Sequence, residues 1–420
     1  MRNKIRINLL NFFKGDTVYF YAIILVAITL FLRKHSVNSI AIITLFVIWT
    51  LKKEYKKLYI IKKNKIIQLF ILFYITFIVG AFYSSDFYEA LKLLKLRLPI
   101  ILFPVVFLTI NFFSKRQTKK FKKVFISAAF LACLYCQFRI ILKWIPTKKP
   151  FINLFKDYQF SYSYITDYID LPPTYFSYLL LICLIFLFDL IKNSQSIKNK
   201  TIGVFTISYF IFFIIHITSR IALVGLILLF FFLIIKSLIK SKFKLAAIII
   251  IFLFSGIFIA SRFDFTVKRY KQVVNVFIPQ KGVVHATGGY RVFSVKAFTQ
   301  NFNKNPVFGV GLGDGQKDLD GYFDEIGFPH MKGYDYHNQY IQTIIELGLV
   351  GFIVFLLVFI VPLRISIISR NKELFLFLII TMLFLFVENM FIRHKGIVPY
   401  ALFNALFLFM FSNSKFHINQ

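Results

Sequence analysis

His337 is the side chain of this sequence best placed to act as a general base. It comes two residues before an apolar run that begins at residue 339, and the positive end of a helix there would favour the neutral imidazole over the imidazolium. A neutral imidazole at a membrane surface is a competent general base. The alternative is a surface histidine that caps the helix. Two neighbours could assist, because Asp335 could support the base and Asn338 could orient the histidine or cap the helix.

Two arginines could bind an anion. Arg220 ends the tight turn 218–220 between two apolar runs, and Arg291 lies in the longest polar segment. A guanidinium binds phosphate through a bidentate fork. An arginine at a helix end can instead anchor that end at the membrane surface. This second explanation suits Arg220 better than Arg291, because Arg291 lies well inside the polar segment.

A basic segment ahead of one apolar run has two explanations. Lys92, Lys95 and Arg97 follow one another at intervals of three and two residues. This pattern is typical of an amphipathic helix at the membrane interface. The alternative is direct contact with lipid phosphates.

Acidic residues are rare in the apolar runs. Glu346 comes nine residues after His337, which places it on the opposite face of a helix, so we do not expect it to orient His337. An acid within a span is often functional, but it can equally bond a neighbouring helix. Glu388 and Arg393 lie near the end of another apolar run and could form a structural ion pair.

The composition excludes a soluble protein. Of the 420 residues, 58% are apolar, the mean hydropathy is +0.72, and phenylalanine alone occurs 57 times. A soluble domain of this size has too little interior to bury so much apolar surface, and a charged fraction of only 16% excludes disorder. Continuous apolar runs without alternation favour helices over a β-barrel. The sequence therefore predicts an all-α integral membrane protein.

Twelve apolar runs are long enough, or nearly long enough, to cross a bilayer. They predict spans at 17–32, 37–51, 66–83, 98–113, 124–142, 172–190, 201–218, 221–235, 245–261, 339–361, 373–390 and 397–412. The predicted organisation has nine transmembrane helices in 1–261, a large external segment at 262–338, and helices ten to twelve in 339–420.

The distribution of lysine and arginine predicts the orientation. Segments 52–65 and 114–123 contain seven and six of these residues, whereas the intervening segments 33–36 and 84–97 contain two and three. Because basic residues concentrate on the cytoplasmic side, we expect both termini to be cytoplasmic and 262–338 to be external. Much of the net charge of +33 then reflects topology and contact with anionic lipids, and no nucleic-acid partner is implied.

Three patterns resemble other kinds of site but have simpler explanations. Cys133-x-x-Cys136 resembles a redox pair, yet within a span two small apolar residues are expected to pack. The glycine run at 309–313 resembles a nucleotide-binding loop but lacks the βαβ setting, so glycines that permit turns are favoured. Asp318-Leu319-Asp320 is an Asp-x-Asp pattern in an external segment, and it is not expected to bind a metal.

Several of these motifs together resemble the O-antigen ligase and polymerase superfamily of bacterial membrane glycosyltransferases. The resemblance rests on Pro-Val-Phe-Gly-Val-Gly-Leu-Gly at 306–313, His-Asn-Gln-Tyr at 337–340 and Glu-Leu-Gly-Leu-Val-Gly at 346–351. Thr-Ser-Arg at 218–220 and Gly-Tyr-Arg at 289–291 also fit this superfamily. So does the twelve-helix layout with its large loop between helices nine and ten.

The resemblance implies an inverting glycosyl transfer, independent of metals and other cofactors, in the bacterial inner membrane with a periplasmic active site. The donor would be a glycan on undecaprenyl diphosphate, and the acceptor a sugar hydroxyl of lipid A-core or another glycan. By this resemblance the candidate catalytic residues are His337, Arg220 and Arg291. The candidate substrate-binding residues are Arg220, Arg291, Asn338, Lys95 and Arg97.

Four functions fit this resemblance and the residues to different degrees. The Thr-Ser-Arg and His-Asn motifs favour an O-antigen ligase over an O-antigen or exopolysaccharide polymerase, whose donor chemistry is the same. A protein O-glycan ligase would differ only in its acceptor. A lipid-linked glycan flippase is less favoured, because transporters place polar features near mid-membrane in related halves. Here most polar residues fall in external segments.

Overall fold

The structure is a computed structural model. It describes residues 17–239, 241, 243, 247, 250 and 289–411, with the backbone alone for 289–292. The predicted ninth span at 245–261 therefore lies outside the described residues except for 247 and 250. The predicted external segment is described from residue 289 onward.

The described chain is helical, and its only β-type pairing is an isolated bridge between Phe113 and Phe411. The α-helices of eleven or more residues are α1 (Thr17–Thr29), α2 (His35–Leu51), α3 (Lys65–Phe82), α4 (Phe87–Arg97), α5 (Pro99–Thr109), α6 (Lys115–Trp144), α7 (Pro173–Lys192), α8 (Ile197–His216), α9 (Arg220–Ile239), α10 (Gly289–Phe302), α11 (Gly315–Glu325), α12 (Gln339–Ile368), α13 (Lys372–Leu385) and α14 (His394–Ala405). Each of the other eleven predicted spans coincides with one of these helices.

The prediction of an all-helical membrane protein is confirmed in outline. Six of the described helices, α3, α6, α7, α8, α9 and α12, are long and apolar enough to cross a membrane. A seventh span results if α2 is joined to the 3-10 helix Glu54–Lys63, from which it is bent by 93°. Helices α5 and α14 have 11 and 12 residues, fewer than the roughly 20 that a bilayer requires, and the count of twelve spans stays a prediction.

The chain forms two compact units, of which the first comprises 1–125 and 291–420 and the second 126–290. In the first unit α12 packs along α3 and against α13, and α14 packs along α5. Aromatic rings fill this core, where Phe73 lies 5.9 Å from Phe355 and 6.4 Å from Phe391 between ring centroids. The predicted division at residues 261 and 338 stays a prediction.

In the second unit α7 is the central helix, because 72% of its most apolar stretch is buried. It packs against α8 and α9. Cys133, Cys136 and Cys183 are free and buried, in agreement with the prediction that Cys133 and Cys136 pack.

Candidate functional site

The amino end of α12 fixes the backbone around His337. The side-chain oxygen of Asn338 accepts hydrogen bonds from the N–H groups of Tyr340 (2.9 Å) and Ile341 (3.2 Å), so Asn338 is the N-cap of α12. His337 lies directly before this cap in the left-handed region, with a φ of +47°. Of the roles predicted for Asn338, the structure supports capping, and its role in substrate binding stays a prediction.

Two carboxylates lie near Nδ1 of the His337 imidazole. Its Nδ1 lies 3.4 Å from Asp335 Oδ1 and 3.9 Å from Glu388 Oε2, and its side chain is 28% exposed. The His337 backbone N–H also donates to Asp335 Oδ1 over 2.8 Å. A carboxylate beside Nδ1 orients the ring and stabilises the imidazolium that forms when the other nitrogen takes a proton. This arrangement suits a general base that is open to substrate.

Asp335 is itself held in place by a cation. Its side chain is only 4% exposed, and Arg393 donates to Asp335 Oδ2 over 2.9 Å. In place of the ion pair considered for Glu388 and Arg393, the structure shows Arg393 paired with Asp335 and Glu388 close to His337.

Helix α12 is broken at Gly348, and the glycine-rich loop at 306–311 fills the break. Gly348 has a φ of 62° and a ψ of −166°. On one side of the break, the N–H groups of Val310 and Gly311 donate to the carbonyls of residues 345 and 346, over 2.8 and 3.1 Å. On the other side, the N–H groups of residues 349 and 350 donate to the carbonyls of 306 and 307, over 2.9 and 3.2 Å. Backbone groups freed by the break are thereby paired, as a membrane interior requires.

Close backbone contact explains why glycine occupies positions 309 and 348. A Cβ on Gly348 would come within 2.2 Å of the Val307 carbonyl oxygen, and a Cβ on Gly309 within 2.5 Å of the Ile345 carbonyl oxygen. Both glycines also have positive φ, which other residues rarely adopt. The structure therefore supports glycines that permit close packing of a loop against a helix.

Asp314 ties the end of this loop to the junction of α3 and α4. Its carboxylate accepts four hydrogen bonds, from Ser84 Oγ, Ser85 Oγ and the N–H groups of Ser85 and Asp86, over 2.6 to 3.0 Å. Burial acts to raise the pKa of Asp314, but the hydrogen bonds from Ser85, Asp86 and Ser84 hold it below its ordinary value. The loop is therefore anchored at both α12 and α4.

Arg97 is a buried structural residue. Its Nη1 and Nη2 donate to the two carboxylate oxygens of Glu346 over 2.8 and 3.1 Å, and its Nε donates to the Phe391 carbonyl over 3.1 Å. The residue is 0% exposed. This geometry does not support the prediction that Arg97 contacts a substrate, because its donors are bound within the protein. The alternative stated for Glu346, a bond to a neighbouring helix, is the one that the structure shows.

The sequence of this region is similar to a known protein family. Residues 205–356 match a family model described as O-antigen ligase. The resemblance to the O-antigen ligase and polymerase superfamily is confirmed. No curated protein matches the chain. The matched segment includes Arg220, the glycine-rich loop, His337 and the break in α12, and it implies a glycosyltransferase-like enzyme of the O-antigen ligase or polymerase type.

Lys95, unlike Arg97, lies on the wall of a cavity. The cavity has a volume of about 660 Å³, and its lining includes Lys92, Lys95, Gln342 and His394. Lys95 is exposed, so a bound molecule could reach its ammonium group. The role of Lys95 in substrate binding stays a prediction.

Of the two arginines predicted to bind a diphosphate, the structure describes Arg220 fully and Arg291 by its backbone alone. Arg220 begins α9 in the second unit, after Thr218 with a φ of +46° and Ser219, whose Oγ accepts a 2.9 Å hydrogen bond from Ser177 Oγ. Arg291 lies in the first turn of α10, and its side chain is outside the described residues. Convergence of these arginines with His337 stays a prediction.

Sequence reasoning missed the contacts that support this site. It did not foresee that Asp314 binds Ser84 and Ser85, or that Glu346 pairs with Arg97. One signal was available for the pair, since an arginine before one span and a lone acid within another are complementary charges in an apolar chain. The Asp-x-Asp pattern has separate bonding partners, since Asp318 pairs with Lys304 and Asp320 accepts from Gln316 and the Gly333 N–H.

Proposed function

We propose that this protein is an O-antigen ligase, which transfers a glycan from undecaprenyl diphosphate to a sugar hydroxyl of lipid A-core. The observation that supports this best is the partly exposed His337 beside the buried carboxylate of Asp335, within the segment that matches the O-antigen ligase family. Activation of an acceptor hydroxyl requires a base within hydrogen-bond reach of its proton, and a partly exposed imidazole can provide one.

In the proposed reaction His337 takes the proton of the acceptor hydroxyl. The acceptor oxygen then forms a bond to the anomeric carbon as the bond from that carbon to the diphosphate oxygen breaks, with inversion. Undecaprenyl diphosphate leaves, and the proton on His337 passes to solvent. Asp335 stabilises the imidazolium, while Arg220 and Arg291 bind the diphosphate and stabilise its developing charge without a metal.

We further propose that Lys95 binds an anionic group of one substrate within the 660 Å³ cavity. Asn338 serves the reaction by fixing the backbone next to His337. The proposed setting is the bacterial inner membrane, with twelve spans, cytoplasmic termini and a periplasmic segment at 262–338. The long apolar helices and the alternation of basic segments support this setting.

The test compares surface glycolipids and the undecaprenyl-linked pool in strains with and without this gene. Bare lipid A-core, together with long polymer that accumulates on the carrier, would establish a ligase. Core capped with a single repeat unit and no long carrier-linked chains would establish a polymerase instead. An unchanged glycolipid profile with altered glycoproteins would indicate a protein O-glycan ligase.

A flippase can be distinguished from these enzymes by its energy source. Transfer from donor that is already on the outer face continues when a protonophore collapses the proton gradient, whereas gradient-driven transport stops. Transfer that ceases with the gradient in spheroplasts preloaded with donor would contradict the enzyme proposal.

A further inference from the structure

A buried polar network joins α4 and α12 to the segment that follows α13. Its centre is the ion pair of Arg97 and Glu346, whose side chains are each only 1% exposed. Gln342 Nε2 donates to Glu346 Oε1 over 2.7 Å, and Asn389 Nδ2 donates to Gln342 Oε1 over 2.9 Å. The hydrogen bonds thus run without interruption from the end of α4, through one face of α12, to residue 389.

This network holds the backbone of Phe391 from both sides. The Phe391 N–H donates to Gln339 Oε1 over 2.8 Å, and the Phe391 carbonyl accepts from Arg97 Nε over 3.1 Å. Asn389 and Phe391 are both 0% exposed. The position of residues 389–391 is therefore set by side chains of α4 and α12.

The residues that flank this stretch carry the charged groups around the candidate base. Glu388 Oε2 lies 3.9 Å from His337 Nδ1, and Arg393 donates to Asp335 Oδ2 over 2.9 Å. We call residues 388–393 the clamp segment. Because its middle is bound to the network, a displacement there would move both Glu388 and Arg393 relative to His337 and Asp335.

Stability alone does not explain a buried arginine and glutamate. Taking two charges out of water costs so much that a well-packed apolar pair is often at least as stable. The Arg97 guanidinium, however, donates at once to both Glu346 oxygens and to the Phe391 carbonyl. No apolar side chain can make these bonds, and a lysine ammonium lacks the planar fork that binds a carboxylate bidentately. Its Cζ also lies over the Phe77 ring, 4.6 Å from the ring centroid.

We propose that Arg97 and Glu346 are positioning residues, which act through the clamp segment to hold Glu388 and Arg393 against His337 and Asp335. The expected effect of this ion pair on catalysis rests on the proposed function, whereas its expected effect on the local order of the chain does not. The experiment must therefore measure both quantities separately.

The variants are Arg97→Lys, which keeps the charge but loses the fork, and the double variant R97M/E346L, which removes both charges. Removal of both partners leaves no unpaired buried charge. The double variant still removes the hydrogen bonds that Gln342 and the Phe391 carbonyl make to this pair, so its amount of folded protein is measured as well. Lys122→Met is the matched control, because Lys122 and Glu373 form another largely buried ion pair in the same unit, at 2.6 Å and with 4% and 14% exposure.

Hydrogen–deuterium exchange of the purified full-length protein is measured on peptides that cover 335–339 and 386–394. In parallel, kcat and KM are measured with donor glycan on undecaprenyl diphosphate. We expect faster exchange in both peptides and at least a tenfold lower kcat, with KM for donor little changed, in R97K and in the double variant. K122M should match wild type in both readouts at equal amounts of folded protein.

Each outcome decides a different claim. Exchange and kcat that stay at wild-type values in R97K and in the double variant would show that the pair only packs, and would overturn the proposal. The same conclusion follows if K122M accelerates exchange in these two peptides as much as R97K does. If the Arg97 variants accelerate exchange while the wild-type protein transfers no glycan, positioning of His337 stands and the proposed function fails.

Discussion

His337 combines an accessible imidazole with a fixed backbone, and these two properties make its role testable. Its side chain is 28% exposed, and its own N–H is bound to Asp335. Because the imidazole lies outside the buried core, His337→Ala should leave the amount of protein in the membrane unchanged. A general base contributes about 10²–10⁴ to the rate, so transfer should fall at least a hundredfold. Transfer at the wild-type rate by this variant would remove His337 from the mechanism.

Asp335 should matter for catalysis through His337. Replacement by Asn keeps the shape but removes the charge that stabilises the imidazolium, so the expected loss is roughly tenfold or more, a part of the contribution of the base. The matched control is Asp324→Asn, since Asp324 is half exposed and forms a surface pair with Lys332, which contributes little. Equal rates for D335N and D324N in single-turnover transfer would contradict this role.

Asp314 should contribute to stability in a way that depends on pH. Its pKa is lowered on folding by the hydrogen bonds from Ser85, Ser84 and Asp86, which outweigh the opposite effect of burial. Such a group stabilises the fold above its unfolded pKa, near 4, and this stabilisation disappears as the pH falls through the folded pKa. Asp314→Asn should therefore lower the free energy of unfolding by about 1–3 kcal/mol at pH 7. Melting temperatures of variant and wild type should converge below about pH 4, and a difference that stays constant with pH would contradict the assignment.

At the scale of elements, the break in α12 is where the glycine-rich loop and the helix meet. The φ and ψ of Gly348 lie in a region that is essentially restricted to glycine, and a Cβ there would overlap the Val307 carbonyl. Gly348→Ala should separate loop from helix, so we expect reduced accumulation and loss of transfer. Gly321→Ala in α11 is the control, because a Cβ at this position meets nothing within 4 Å. It should be neutral or slightly stabilising, and equal accumulation of the two variants would show that the break tolerates a side chain.

The helices could be located from the sequence because apolar runs are local signals, and α12 begins at residue 339 as its cap predicted. The burial of Arg97 could not be predicted from such local signals. The charges of α4 are typical of an interfacial helix, yet Arg97 is buried because Glu346, about 250 positions later, lies opposite it. The pairing of the 306–311 loop with the broken helix is equally long-range. Local patterns indicate that glycines are needed, but they do not indicate which backbone groups will meet them.

At the scale of the whole molecule, the proposed reaction depends on topology. Its proposed residues Arg220 and His337 are distant in sequence, and the proposal requires both on the same side of the membrane. The alternation of basic short segments predicts this, because the turn at 218–220 and the segment at 262–338 both fall on the side opposite the short segments that are rich in lysine and arginine.

Cysteine labelling tests this orientation directly. The native cysteines are buried, so they should react little with a membrane-impermeant maleimide. Lys332→Cys and Lys198→Cys place thiols at exposed positions. The first lies in the predicted periplasmic segment, and the second lies in the first turn of α8, at the predicted cytoplasmic end of that helix. In intact spheroplasts the thiol at 332 should react and the thiol at 198 should react only after lysis. The reverse pattern would place His337 in the cytoplasm, away from the outer-face lipid-linked donor that ligation requires, and the ligase proposal would fall with it.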